Sequence, residues 1–258
     1  MKQVVLLMAH FYNKSILEKL EKLKTELDGS VYDIVLLLND EVGLRIEDSG
    51  NNDVFRFSAL DLNVLGYEPI EETLIPGSVY FAVLYFYKMY PCYSYYWFIE
   101  YDVFFTGKWN MLFNAFESYH ADFLSSHVER FDESKNGMWT WWYRGLDVNV
   151  ALEKCIKSFN PICRYSTNAL KCLDKFLKLG ICGHQEVVVP TIINEEGGIL
   201  CDFGGSGEFV QNGFVDRFYI QSPGVHMGTL RYRPVFSEQD VLSSGIYNKI
   251  FHPVKYWI

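Results

Sequence analysis

Two unbroken apolar runs separated by an amphipathic segment dominate the first forty residues. Lys2-Gln-Val-Val-Leu-Leu-Met8 and Asp33-Ile-Val-Leu-Leu-Leu38 are continuous rather than alternating, the pattern of strands covered on both faces. Between them, Ile16, Leu17, Leu20, Leu23 and Leu27 recur at helical spacing from Lys14, and Asp28-Gly29 stops the helix. Strand, helix, strand predicts a mostly parallel sheet flanked by helices, an α/β fold whose ligands gather outside the carboxyl ends of the strands. The first two such ends read Ala9-His10-Phe11-Tyr12-Asn13 and Asn39-Asp40.

Further along, Val79 to Tyr90 reads as a helix ended by Pro91, and Tyr95 to Ile99 as a central strand that delivers Glu100 and Asp102. Asp122 to Ser126 is another strand, followed by the tryptophan-rich loop Met138-Trp-Thr-Trp-Trp-Tyr143. Ser166 caps a helix from Thr167 to Leu179 that Gly180 ends, and Gly183-His-Gln-Glu186 opens a helix running toward Gly197. The C-terminal part is turn-rich, with short strands expected at Phe218 to Ile220 and Thr229 to Tyr232. With no linker, repeat or low-complexity tract, one domain over residues 1–258 is the simplest partition.

Composition narrows the partners. With 23 basic and 32 acidic residues the chain carries a net −9, which argues against nucleic acid held on a basic surface. The six cysteines form no Cys-x-x-Cys pair, as expected of free thiols in a reducing cytoplasm. No apolar stretch of about 18 residues is present to span a membrane, and the N-terminal run is too short for a signal-peptide core. Neither Gly-x-Gly-x-x-Gly after the first strand nor a P-loop motif occurs, which disfavours classical dinucleotide and P-loop sites.

Glu100 and Asp102 sit inside the most aromatic run of the chain, two positions apart and therefore on one face if the strand continues. Two close carboxylates repel unless a cation or hydrogen-bond donors compensate them, and Mg²⁺ or Mn²⁺ would do so. The bland alternative is a solvated strand end. The indoles of Trp139, Trp141 and Trp142 likewise have two readings, a stacking platform for a sugar or ordinary packing.

The segment Tyr96-Trp-Phe-Ile-Glu-Tyr-Asp-Val-Phe-Phe-Thr-Gly-Lys-Trp109 resembles the acidic motif of GT-A-fold nucleotide-sugar glycosyltransferases. It is similar above all to a group of fungal and bacterial members with a Trp-x-x-Glu-x-Asp-Val…Thr-Gly-x-Trp pattern. Val4 to Asn13, Asn160 to Ser166, Gly183 to Thr191 and His252-Pro-Val-Lys255 extend the resemblance in order along the chain. It implies a single GT-A-like domain, with a nucleotide-binding half over about residues 1–105 and an acceptor half over about 106–258. It also implies a metal held by Asp102 with Glu100, the latter standing where the family has Asp, and by a histidine near the C-terminus, for which His226 is the candidate by position. Glu186 would be the general base of an inverting transfer, beside His184. Nucleotide and phosphate would contact His10, Phe11, Tyr12, Asn13, Arg231 and Arg233. The cofactor is then Mn²⁺ or Mg²⁺, the donor a nucleotide sugar and the acceptor a glycan or lipid-linked glycan. The setting is cytoplasmic, with peripheral attachment at the inner face of the membrane as an option. A metal-dependent phosphoesterase or nucleotidyltransferase and a non-catalytic carbohydrate-binding protein are the alternatives.

Overall fold

The computed structural model describes residues 2–40, 53–72, 74–146, 150–221 and 228–255. The first apolar run forms β1 (Gln3–Ala9), buried along its whole length, and the amphipathic segment forms α1 (Lys14–Glu26), which lays Ile16, Leu20 and Leu23 on the sheet. β2 (Tyr32–Asn39) returns parallel to β1, β3 (Val54–Phe57) adds a parallel edge, and the short α2 (Ala59–Leu62) follows. α3 (Tyr80–Met89), apolar nearly all round, leads to β4 (Tyr95–Glu100), parallel to β1 on its other side. Next come β5 (Phe104–Phe105), α4 (Trp109–Ala115), β6 (Phe123–Arg130) and α5 (Trp141–Arg144). β7 (Ile156–Ser166), α6 (Thr167–Leu177), α7 (Gln185–Glu195) and β8 (Leu200–Asp202) complete the central layer and its cover. The C-terminal segment contributes β9 (Phe236–Ser237), α8 (Glu238–Ser243), β10 (Ile250–Phe251) and β11 (Val254–Lys255).

The central sheet has seven strands in the order β3-β2-β1-β4-β7-β6-β8. All neighbours are parallel except those of β7, which runs against both β4 and β6. This is the mixed but mostly parallel α/β sheet that the opening pattern predicts. Alternation along the inner strands divides the core. Val4, Leu6, Tyr96 and Phe98 face α3, α6 and α7, whereas Val5, Leu7, Trp97 and Ile99 face α1 and α4.

The sequence does not announce β7, because Asn160-Pro161 reads as a turn. The structure places Pro161 between Phe159, paired with Ser126, and Arg164, paired with Leu124, where the β6–β7 ladder shifts register. A residue without an N–H is tolerated at such an irregularity. Two other expectations are corrected. Phe218 to Ile220 and Thr229 to Tyr232 are not strands: Ile220 and Thr229 are joined by single bonds, one through the Thr229 hydroxyl, and Leu230 makes only an isolated bridge to His252.

Arg164 is fully buried on β7, with its guanidinium 4.2 Å from the Tyr95 ring. It donates to the carbonyls of Phe116, Tyr119 and Ala121, so it fastens the turn between α4 and β6 to the sheet. Arg164→Ala strands these carbonyls in the core and is expected to destabilise the fold by about 3 kcal/mol, measured by denaturant unfolding. Lysine, a single point donor, is expected not to restore it.

Candidate active site

β4 ends at Glu100, and the chain turns at once: the Val103 N–H donates to the Glu100 carbonyl at 3.0 Å. The two carboxylates are thus brought together by a tight turn, not by strand alternation. The Asp102 carbonyl in turn accepts from the Val254 N–H at 2.8 Å, which binds the C-terminal segment to the motif. From that segment, His252 places Nε2 3.4 Å from Oε2 of Glu100 and 3.4 Å from Oδ1 of Asp102. Lys255 adds an ammonium 2.6 Å from Oδ2 of Asp102 and 2.7 Å from the Tyr101 hydroxyl.

The charges of this cluster compensate one another. Burial alone would raise the Asp102 carboxyl, but His252 and Lys255 hold it down to about 2. Burial alone would lower His252, yet Asp102 and Glu100 push it up to about 9.

The donor set fits a divalent ion. Lys255 takes Oδ2 of Asp102, whereas the buried Oδ1 makes no well-formed hydrogen bond and faces Nε2 of His252 at 3.4 Å. Nδ1 of His252 lies 2.9 Å from the Arg231 carbonyl, to which it donates, so Nε2 is the atom turned toward the acids. Glu100, Asp102 and His252 each offer one atom, all within 4.8 Å of one another. Two hard oxygens and one imidazole nitrogen suit Mn²⁺ or Mg²⁺. His226 lies outside the described residues; the histidine that completes the cluster is His252.

Glu186 stands in the first turn of α7, its side chain 15% exposed. Burial, and after it the charge of Glu100, push its carboxyl up to about 8, against Lys157, His252 and the Asn160 backbone N–H. Glu186 is therefore joined electrostatically to Glu100 at the end of β4. Its placement depends on close approach at glycines. Gly183 lies where a Cβ would meet the Gly145 carbonyl at 2.1 Å, and at Gly77, with φ of 87°, a Cβ would meet the His184 ring at 2.6 Å. His184 caps α7 by accepting from the Glu186 N–H, and Trp141 stacks on its ring with centroids 4.2 Å apart. Trp142 is buried against Cys155 and Val187, while Trp139, half-buried, carries the Lys157 ammonium over its face. Of the two readings of this loop, Trp142 and Trp141 follow the packing one.

The remaining candidates are distributed as follows. His10 and Phe11 both pack edge-on against Tyr101, next to Lys255. Asn13 is the N-cap of α1, its side chain accepting from the Ile16 N–H and the Ser15 hydroxyl. Tyr12 packs against the core beside α1. Asp40 is paired with Arg56 at 2.7 Å. Arg231 brings its carbonyl to His252 while its guanidinium donates to the Pro234 carbonyl and covers the Phe236 ring. Arg233 lies over the Tyr232 ring. The sequence reading passed over His252 and Lys255 as site residues, although the resemblance runs through both.

No family model matches the chain, and no curated protein does. Among solved structures, it is similar to the galactosyltransferase LgtC in complex with donor and acceptor sugar analogues, at 10% identity over 95% of this chain and 79% of that one, with a TM-score of 0.44. A Bacillus anthracis protein assigned as a glucose-1-phosphate thymidylyltransferase, in complex with sucrose, shares 12% identity over 80% of this chain and 87% of its own, at TM-score 0.44. The bifunctional glycosyltransferase WbbM shares 15% over 75% of this chain and 36% of its own, at 0.37.

These titrations make stability depend on pH with a definite sign. His252, raised from 6.5 to about 9, adds stability that is complete below 6.5 and lost as pH rises through 9. Glu186, raised from 4.5 to about 8, must be buried as an anion above that range, so it lowers stability progressively from 4.5 to 8. Asp102 acts oppositely: its contribution is present above 3.8 and lost as pH falls through about 2. Without added metal, thermal unfolding is expected to show greatest stability on the acid side of neutrality. Glu186→Gln should flatten the decline below pH 8 and leave the His252 part.

Proposed function

We propose that this chain is a GT-A-like glycosyltransferase that moves a sugar from a nucleoside diphosphate donor to a glycan or lipid-linked glycan with inversion. The observation that carries this reading is the convergence of Glu100, Asp102 and His252 around Oδ1 of Asp102, with Glu186 near enough for the charges of Glu100 and His252 to act on it. The motif that resembles the family supplies the substrate class. Bacterial surface-polysaccharide assembly in the cytoplasm, at the inner face of the membrane, is the proposed setting. Among the described residues no helix is long and apolar enough to cross a membrane.

In this reading Asp102, Glu100 and His252, the last after losing its proton, would hold a divalent ion, and Lys255 neutralises the outer oxygen of Asp102. The ion, when bound, would hold the donor diphosphate and offset the charge that grows on it as the glycosidic phosphate bond breaks. The acceptor oxygen forms its bond to the anomeric carbon from the opposite face. The bonding pair of the leaving group stays on the diphosphate, and the acceptor proton passes to the Glu186 carboxylate. With its carboxyl pushed up to about 8, Glu186 holds its proton at neutral pH, and a cation beside Glu100 would lower it toward the ionised form that the task needs. His10, Phe11 and Tyr101 would receive the nucleoside beside this cluster. A two-ion phosphoesterase would need a second acidic group, and among the described residues Glu100, Asp102 and His252 are the one such group of three.

A thermal-shift screen of UDP-, GDP- and CMP-sugars with and without Mn²⁺ should show one donor class raising the melting temperature in a metal-dependent way. Asp102→Asn is expected to abolish that dependence together with donor hydrolysis and transfer; a fully active variant removes Asp102 from the site. Glu186→Gln should keep donor affinity while kcat falls about 10²- to 10⁴-fold, and an unchanged kcat would require another base. Release of pyrophosphate from a nucleoside triphosphate supplied with a sugar 1-phosphate would favour the nucleotidyltransferase alternative.

A further inference from the structure

β6 breaks its ladder with β7 between Leu124 and Ser126 and again between Ser126 and Glu129, and within that break His127 has a positive φ of 50°. A left-handed backbone is uncommon in a residue with a side chain, and bulges re-aim side chains near functional sites. The distortion is maintained from behind. The His127 N–H donates to the Tyr219 hydroxyl, which reaches the buried Asp202 carboxylate, and Asp202 also accepts from the N–H groups of Val128, Gly204 and Gly205. None of these bonds uses the imidazole. The strained backbone is therefore secured independently of the side chain that it presents.

The ring lies over Tyr219, centroids 4.8 Å apart, and edge-on to Phe159 at 5.9 Å. Phe159 in turn packs against His252 at 5.3 Å, so one aromatic ring separates His127 from the ion-binding cluster. The tautomer follows from the partners. Ser126 donates its single hydroxyl proton to the Phe159 carbonyl, so at 3.2 Å from Nδ1 it can only accept. With the Ser126 hydroxyl so directed, the ring is assigned the Nδ1–H tautomer, which leaves the Nε2 lone pair to accept. Burial, with the Lys157 charge adding to it, pushes the pKa down to about 4, so the ring is neutral at physiological pH. A neutral acceptor above an aromatic edge suits a polyhydroxylated ring, which packs its C–H groups on the aromatic and needs an acceptor for an O–H.

We infer that His127 reads the sugar being transferred, Nε2 accepting a hydrogen bond from a hydroxyl of the donor sugar as that ring lies over Phe159. This rests on the glycosyltransferase reading, and it makes His127 a specificity-determining residue of that site.

The test compares a nucleotide sugar that stabilises the wild-type protein with its free nucleoside diphosphate, by calorimetric titration in Mn²⁺. His127→Gly accepts the left-handed backbone without strain and keeps the bond to Tyr219, so it is expected to fold. Affinity for the nucleoside diphosphate should be unchanged, while the extra affinity that the sugar confers falls about tenfold. His127→Asn, which tolerates the same backbone and offers a carbonyl acceptor, should recover part of it. A sugar increment that survives intact in His127→Gly overturns the inference and leaves the transferase reading standing. A wild-type protein for which no sugar adds affinity overturns both.

Discussion

The two carboxylates at the end of β4 have no counter-charge of their own, and the fold supplies it from residues about 150 positions later. Removing the partner of a buried charge typically costs several kcal/mol, so the acids are tolerable only once His252 and Lys255 are in place. The C-terminal segment is accordingly fixed to the motif at several points. β10 pairs with β5, Thr106 and Lys249 exchange bonds, and Val254 donates to the Asp102 carbonyl. Lys19 of α1 adds a bond to the Val103 carbonyl from the opposite side. Closing the fold and assembling the site are the same event.

The reversal of β7 has an equally direct consequence. Parallel strands deliver their last residues to the carboxyl edge of the sheet; only a strand of opposite sense can bring its first residues there. β7 does so with Phe159, which packs on His252, and Asn160, whose side chain accepts from Ser125 and donates to the Gln185 carbonyl. The start of α7, and with it Glu186, is thereby tied to the strand that borders β4. The bulged pairing with β6 shapes the same edge at His127.

What the sequence made legible follows from how local each signal is. β1, α1, β2 and β4 are set by apolar runs and a 3.6-residue period, and Glu100 and Asp102 by their place at a strand end. β7 was hidden because Asn160-Pro161 carries turn chemistry that the tertiary ladder absorbs at a register shift. His252 and Lys255 were hidden because nothing local distinguishes a cation that meets an acid 153 positions away. Asn13 shows a second role at a strand end: the oxygen of a residue that reads as a ligand contact also caps the next helix. His127 could not be read at all, since neither a positive φ nor a bulge leaves a mark in its neighbours.

The coupling between Glu186 and Glu100 would order the proposed chemistry. Burial first, and the Glu100 charge second, keep the proton on Glu186. His252 and Lys157 already oppose that effect from within the protein. Any further positive charge held by Glu100 and Asp102 weakens the second cause and leaves the first, lowering the pKa of Glu186 toward ionisation. Under the proposed function, a base arranged in this way would stay neutral until a cation was held beside Glu100, which would spare the fold a buried, uncompensated anion. It would become competent once the group that would carry the donor's diphosphate was in place, so Glu100 and Asp102 would govern both the leaving group and the readiness of the base.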